Sequence, residues 1–207
     1  MEQNFITALD EYFCAQYSDY VKINAIAGYH MPEMVSVGRD GNIFRHNSEK
    51  MRLSHQSNAK ELLAVFKSNL VDTNFTFSFS FRKFGDKIRD PFRKYTFAKY
   101  LPIALKACGE SAESAGEKLD IDKKFWKKIV KGKLYPEKNT VLALALTCGM
   151  RMKETVNLLA VCGFSFEQDN VRDVVVEYLI KQQIFNEQMR DACLKEYAIT
   201  NLPIKKA

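Results

Sequence analysis

Five lysines crowd one short stretch of the chain: Lys123, Lys124, Lys127, Lys128 and Lys131. Among them stand Phe125, Trp126 and Ile129, with Trp126 and Ile129 three apart, the spacing of one helical face. A helix here would bury these three side chains as its structural core and turn the lysines outward, with Lys133 prolonging the basic run. Lysine is a compact point charge that grips phosphates and reads no base unambiguously. The chemistry expected is polyanion binding, dominated by backbone affinity. Lys123 and Lys124 fall in the first turn, where a recognition helix meets base edges.

The charge of the whole chain agrees once it is located. On 207 residues, 31 Lys+Arg against 25 Asp+Glu leave +6, and five of those six charges fall in residues 94–207. Residues 118–138 alone hold eight basic and three acidic side chains, and residues 79–99 hold seven and two. A concentrated patch is what a polyanion feels. Within the second window Arg89, Arg93, Lys94 and Lys99 form a candidate auxiliary arm. The aromatics of residues 92–100 could equally pack that segment on its neighbours as a linker.

Other chemistries find little support. The only histidines, His30, His46 and His55, are sixteen and nine apart, which fits no metal or catalytic signature. There is no GxSxG, no P-loop and no Rossmann glycine set. The five cysteines never form a CxxC pair and read as small buried hydrophobes in a reducing compartment. No enzyme activity, cofactor or metal is therefore expected. No apolar run approaches the roughly 18 residues of a membrane span, and residues 1–13 lack a basic leader. A soluble cytoplasmic protein without a membrane partner is expected.

The elements that would position the lysines divide the chain in two, giving an α+β fold class. Residues 1–92 read as a small α+β domain. It has a helix over 4–18, strands at Val21–Ala27 and Met34–Val37, and an Asp40-Gly41 turn into a return strand at Ile43-Phe44. Asn58 with Glu61 resembles a capping pair ahead of Leu62, Leu63, Phe66 and Leu70. Phe75, Phe77, Phe79 and Phe81 alternate with small polar residues as a strand does, and more as a buried sheet face than as a stacking platform. Residues 93–207 read as an all-helical bundle. Pro102 is placed in the first turn of a helix, Ser111 and Asp122 cap two short helices, and Gly132 ends the second. Residues 139–148 are apolar on every side and predict a buried central helix. Further helices follow over 152–161, from Val171 with an amphipathic stripe, and over 186–197.

The run SAESAGEKLDIDKKFWKKIVKGKLYPEKNTVLALALTCGMRMKETVNLLAVCGF resembles the lambda-repressor-like (Xre-type) helix-turn-helix domain. It is most similar to the helical variant at the C-terminal end of multidomain Firmicutes proteins. The features that carry the resemblance are Ile121-Asp122 opening the second helix, Phe125 to Ile129 within it, Pro136 after the turn and Thr140 to Ala145 as the buried helix. Glu154-Thr155 and Leu158-Leu159 mark the next. The likeness covers about residues 100–180, while residues 1–90 resemble nothing recognised. It departs from the family pattern at three places: Glu113 near the usual phosphate-clamping Gln, Asp120 at the turn glycine, and Gly116 at the usual alanine.

The resemblance implies a bacterial DNA-binding protein of transcription regulation, its first domain sensing a ligand or forming a homodimer. The alternative is a non-catalytic accessory or adaptor subunit binding RNA or a protein partner, in a defence or mobile-element system.

Overall fold

The first helix, α1 (Glu2–Gln16), turns Leu9 and Phe13 into the core at i and i+4 and leaves Phe5 and Tyr12 half-buried. The computed structural model describes residues 2–31, 35–45, 51–71, 81–83 and 96–199. A short helix, α2 (Tyr20–Asn24), occupies most of the stretch expected as a strand. The Asp19 carboxylate accepts the Lys22 backbone N–H and starts it. Ile23 and Ile26, three apart, are buried, whereas Val21 is 81% exposed, so the apolar period here is helical. Strands β1 (Val35–Val37) and β2 (Ile43–Arg45) pair antiparallel, with Val37 opposite Ile43 across the turn at Gly41 (φ 79°). Asp40 accepts from the Asn42 backbone and side-chain amides, which hold its carboxyl below the usual range. A 3₁₀ turn at Leu53–His55 leads to α3 (Ala59–Ser68), which buries Leu62, Leu63 and Phe66; Asn58 occupies the cap position without a side-chain bond.

The expectation of an α+β fold is therefore corrected. The described part of residues 1–92 is carried by α1, α2 and α3, and strand is confined to three-residue pieces, so the chain is mostly helical. Most of the phenylalanine ladder, Phe75 to Phe79, lies outside the described residues. Its last member, Phe81, opens β3 (Phe81–Lys83), which pairs antiparallel with β4 (Leu134–Pro136).

Beyond β3 the described chain is built from α4 (Phe97–Ala107), α5 (Ala112–Lys118), α6 (Lys123–Val130), α7 (Lys138–Thr147), α8 (Met152–Cys162), α9 (Val171–Lys181) and α10 (Glu187–Glu196). Pro102 lies in the interior of α4, not in its first turn. Burial of Phe97 and Leu101, one turn apart, draws the helix start back despite the lost proline N–H. Thr140 to Leu146 are all buried, which makes α7 the central helix. Helix α9 is enclosed further than a stripe requires, with Val171 to Val176 and Tyr178 to Ile180 buried.

Two of those buried positions are charged. Asp173 is wholly buried beside the Lys138 ammonium; the Glu167 backbone N–H donates to it at 2.9 Å, and Arg172 approaches at 3.5 Å. Burial pushes the Asp173 carboxyl up, and Lys138 opposes that shift.

One core runs through residues on both sides of position 92. Helix α1 packs against α3, α9 and α10, and the Phe13 ring lies 4.6 Å from Tyr197 and 5.6 Å from Phe66. Above these rings Lys67 reaches Asp10 at 2.6 Å and Glu196 at 2.8 Å, and the Tyr197 hydroxyl donates to Asp10 at 2.8 Å. All five cysteines are free, with Cys108 half-buried and the others buried. Burial lifts the thiols of Cys14 and Cys193 to about 11 and that of Cys148 to about 12, so they remain protonated near neutral pH.

Candidate nucleic-acid interface

Helices α5 and α6 are set by their caps. The Ser111 hydroxyl accepts the Ser114 backbone N–H at 3.0 Å, and Asp122 accepts those of Lys124 and Phe125 at 3.0 Å each. Between the helices the chain turns at Asp120, whose φ of 50° is left-handed. Aspartate is among the few non-glycine residues that enter this region. The Ile121 backbone N–H then donates to the Gly116 carbonyl at 3.1 Å and closes the turn.

Trp126 fastens the pair. Its indole N–H donates to the Ala112 carbonyl, and its ring lies so close to α5 that a methyl on Gly116 would sit 2.6 Å from Trp126 Cδ1. Trp126 and Ile129 are buried, and Phe125 is half-buried. At about 100° per residue, the four lysines of α6 and Lys131 at its C-cap occupy an arc of about 140° on the side opposite. Lys123, Lys124, Lys127, Lys128, Lys131 and the following Lys133 are all exposed. Lys123 meets Glu117 at 3.7 Å, and the other five form no ion pair among the described residues. Lys118 on α5 is spoken for. It contacts Glu110, and that contact raises the ammonium and, with Ser114, holds the carboxyl low.

A groove of about 740 Å³ runs between α5 and α6. Its floor is Ala112, Gly116, Ile121, Trp126 and Val130. Glu113, Glu117 and Asp120 line one wall and Lys123, Lys127 and Lys131 the other. The spacing of the lysines foretold their shared exposure, but the gathering of three carboxylates opposite half of them depends on the turn at Asp120.

Of the candidate arm, Lys99 is exposed on α4. Its neighbour Ala98 packs where a side chain on Gly132 would reach, so Lys99 lies on the part of α4 that meets the end of α6. Arg89, Arg93 and Lys94 lie outside the described residues. The β3–β4 ladder adds two basic positions that sequence reasoning did not single out: Arg82 stands opposite Tyr135 and Lys83 opposite Leu134, next to Lys133. No local signal marks a pairing about fifty residues apart. Among the described residues no group of His, Cys, Asp and Glu could hold a metal ion, and no helix is long and apolar enough to cross a membrane.

Comparison with known protein families, curated proteins and solved structures finds no match for this chain.

Proposed function

We propose that this protein is a DNA-binding regulator that docks on the phosphate backbone through α6. The observation that carries the reading is the lysine face itself. Its ammonium groups stand exposed, five of the six basic side chains at 123–133 have no carboxylate partner among the described residues, and the helix beneath them is fastened by Trp126. A rigid face of exposed ammonium groups releases counterions when it meets a polyanion, and that release drives binding. The resemblance to the Xre-type helix-turn-helix supports the same assignment.

The test is a titration of duplex DNA and of single-stranded RNA at several salt concentrations, with the wild type and Lys123/Lys124/Lys127/Lys128→Ala. Each phosphate-binding lysine removed should flatten the log–log salt dependence on duplex by about 0.9. A quadruple variant that binds as the wild type does removes α6 as the docking surface. A palindromic footprint would point to a homodimer.

A second reading, a non-catalytic adaptor subunit for RNA or a protein partner, draws on the α5–α6 groove. An apolar floor between walls of opposite charge suits a protein segment better than a phosphate strand. Co-purification of RNA or of another protein, with no salt-dependent duplex binding, would favour it.

A further inference from the structure

The four lysines of α6 and Lys131 at its C-cap are not equivalent. Lys123, Lys127 and Lys131 follow one another at i, i+4 and i+8 along the wall of the α5–α6 groove, across from Glu113, Glu117 and Asp120. The Lys123 ammonium already lies 3.7 Å from Glu117. Three cations face three carboxylates there, and beyond a few ångströms their fields largely cancel. Lys124 and Lys128 form a second row, centred about 80° round the helix from the first and away from α5. Neither lines the groove, and neither forms an ion pair among the described residues. The buried side of the helix begins next to this row at Phe125, and the chain then passes Lys133 into β4, where β3 places Arg82 and Lys83 alongside.

From this partition we infer that duplex DNA is received on the flank of α6 that faces away from α5, by Lys124, Lys128 and Lys133. The acidic wall of α5 keeps a phosphate strand off the groove row. The inference rests on the DNA-docking reading above and specifies its geometry. A phosphate lowered onto Lys123 or Lys127 would come within one Debye length, about 8–10 Å, of three carboxylates and be repelled by them. Lys128 and Lys133 do not line that groove, so a phosphate on them is set further from its carboxylates, and the Asp122 carboxylate near Lys124 accepts two backbone N–H groups as the helix cap. The track therefore runs from α6 toward the β3–β4 ladder and not across α5.

A set of charge variants tests this, with a short duplex of mixed sequence as the probe. Lys124/Lys128/Lys133→Ala should reduce affinity and lower the salt slope by roughly 2–3, as the removal of three phosphate-binding cations requires. Lys123/Lys127/Lys131→Ala unmasks the wall carboxylates but removes no phosphate contact, so it should lower the salt slope by less than half as much as the flank variant does in the native background. Neutralising the wall with Glu113→Gln, Glu117→Gln and Asp120→Asn should tighten binding. In that background, removing the groove row should now be as damaging as removing the flank row. Such a reversal is a coupling between wall and row that a folding defect would not produce. Asparagine tolerates the left-handed φ at position 120, and circular dichroism checks that each variant is folded.

The inference fails if the two lysine rows contribute equally in the native background, or if neutralising the wall leaves affinity and salt slope unchanged. Either result leaves the DNA reading standing. Absence of salt-dependent duplex binding by the wild type overturns the DNA reading itself and this geometry with it.

Discussion

The lysines of α6 and those of the core live under opposite rules. Lys138 is nearly enclosed and held by Asp173 and Glu167; Lys67, also largely enclosed, is held by Asp10 and Glu196. Each ties together elements distant in sequence, and its charge is consumed inside the fold. On α6 the charges are as dense, yet they face outward and only Lys123 has an ion-pair partner among the described residues. Cations that the fold needs are neutralised by the fold. The face on α6 holds nothing together and is left for something outside the chain.

The sharpest way to break that contrast is Lys138→Met. It would strand the Asp173 carboxylate in the core, a loss of about 3–5 kcal/mol by urea unfolding. The loss should depend on pH with a definite sign. Burial already raises the Asp173 pKa, and without Lys138 it rises further. A carboxyl whose pKa is higher in the folded state binds its proton more tightly there than in the unfolded chain. Stability is then lost as pH rises from the ordinary carboxylate range through the raised value, and the deficit of the variant shrinks on acidification. A deficit that is flat across that window would show that the pair is not what Lys138 contributes.

The next effect belongs to the platform under the exposed face. Gly116→Ala pushes a methyl against the Trp126 ring and should destabilise by about 1–3 kcal/mol, even though alanine favours a helix by about 1 kcal/mol. A more stable variant in thermal unfolding would mean that α5 and α6 are not locked as described. Asp120→Gly relieves a left-handed aspartate and should raise stability by up to about 1 kcal/mol in the same measurement. The smallest effect should come from single Lys→Ala changes at 124, 127 or 128, each within about 0.5 kcal/mol of the wild type. If any of these approaches the Lys138 variant in cost, the division between structural and outward-facing lysines collapses.

Much of the second half was legible because its signals are local. Ser111 and Asp122 cap the helices their positions predicted, and the unbroken apolar run of α7 is buried throughout. The Asp40-Gly41 turn joins two strands as its residues suggest. The stretch Val21–Ala27 misled because its apolar residues fit a period of two through Val21 and Ile23 and a period of three through Ile23 and Ile26. The Asp19 cap and the exposure of Val21 decided for the helix. Pro102 misled because packing of Phe97 and Leu101 outweighs one missing hydrogen bond. At the candidate site the lysine spacing was readable, and so were Glu113 and Asp120 as isolated departures. That Glu117 joins them in a wall, and that β3 lies beside β4, are products of the folded chain that no window of sequence contains.

The hydrogen bond from Tyr197 to Asp10 joins residues 187 positions apart, whereas that from Trp126 to Ala112 spans fourteen. A ribosome adding 5–20 residues per second completes the short link within about three seconds of starting it, but needs roughly 10–40 s for the long one. The α5–α6 corner can therefore close while the chain is still growing. Leu9, Phe13 and Tyr17, made long before α9 and α10, meet α3 earlier but have to wait for those two helices before the rest of their apolar side is covered. In the interval that side is open to chaperones and to neighbouring nascent chains. A helix made before α9 and α10 is thus completed in its packing only after them.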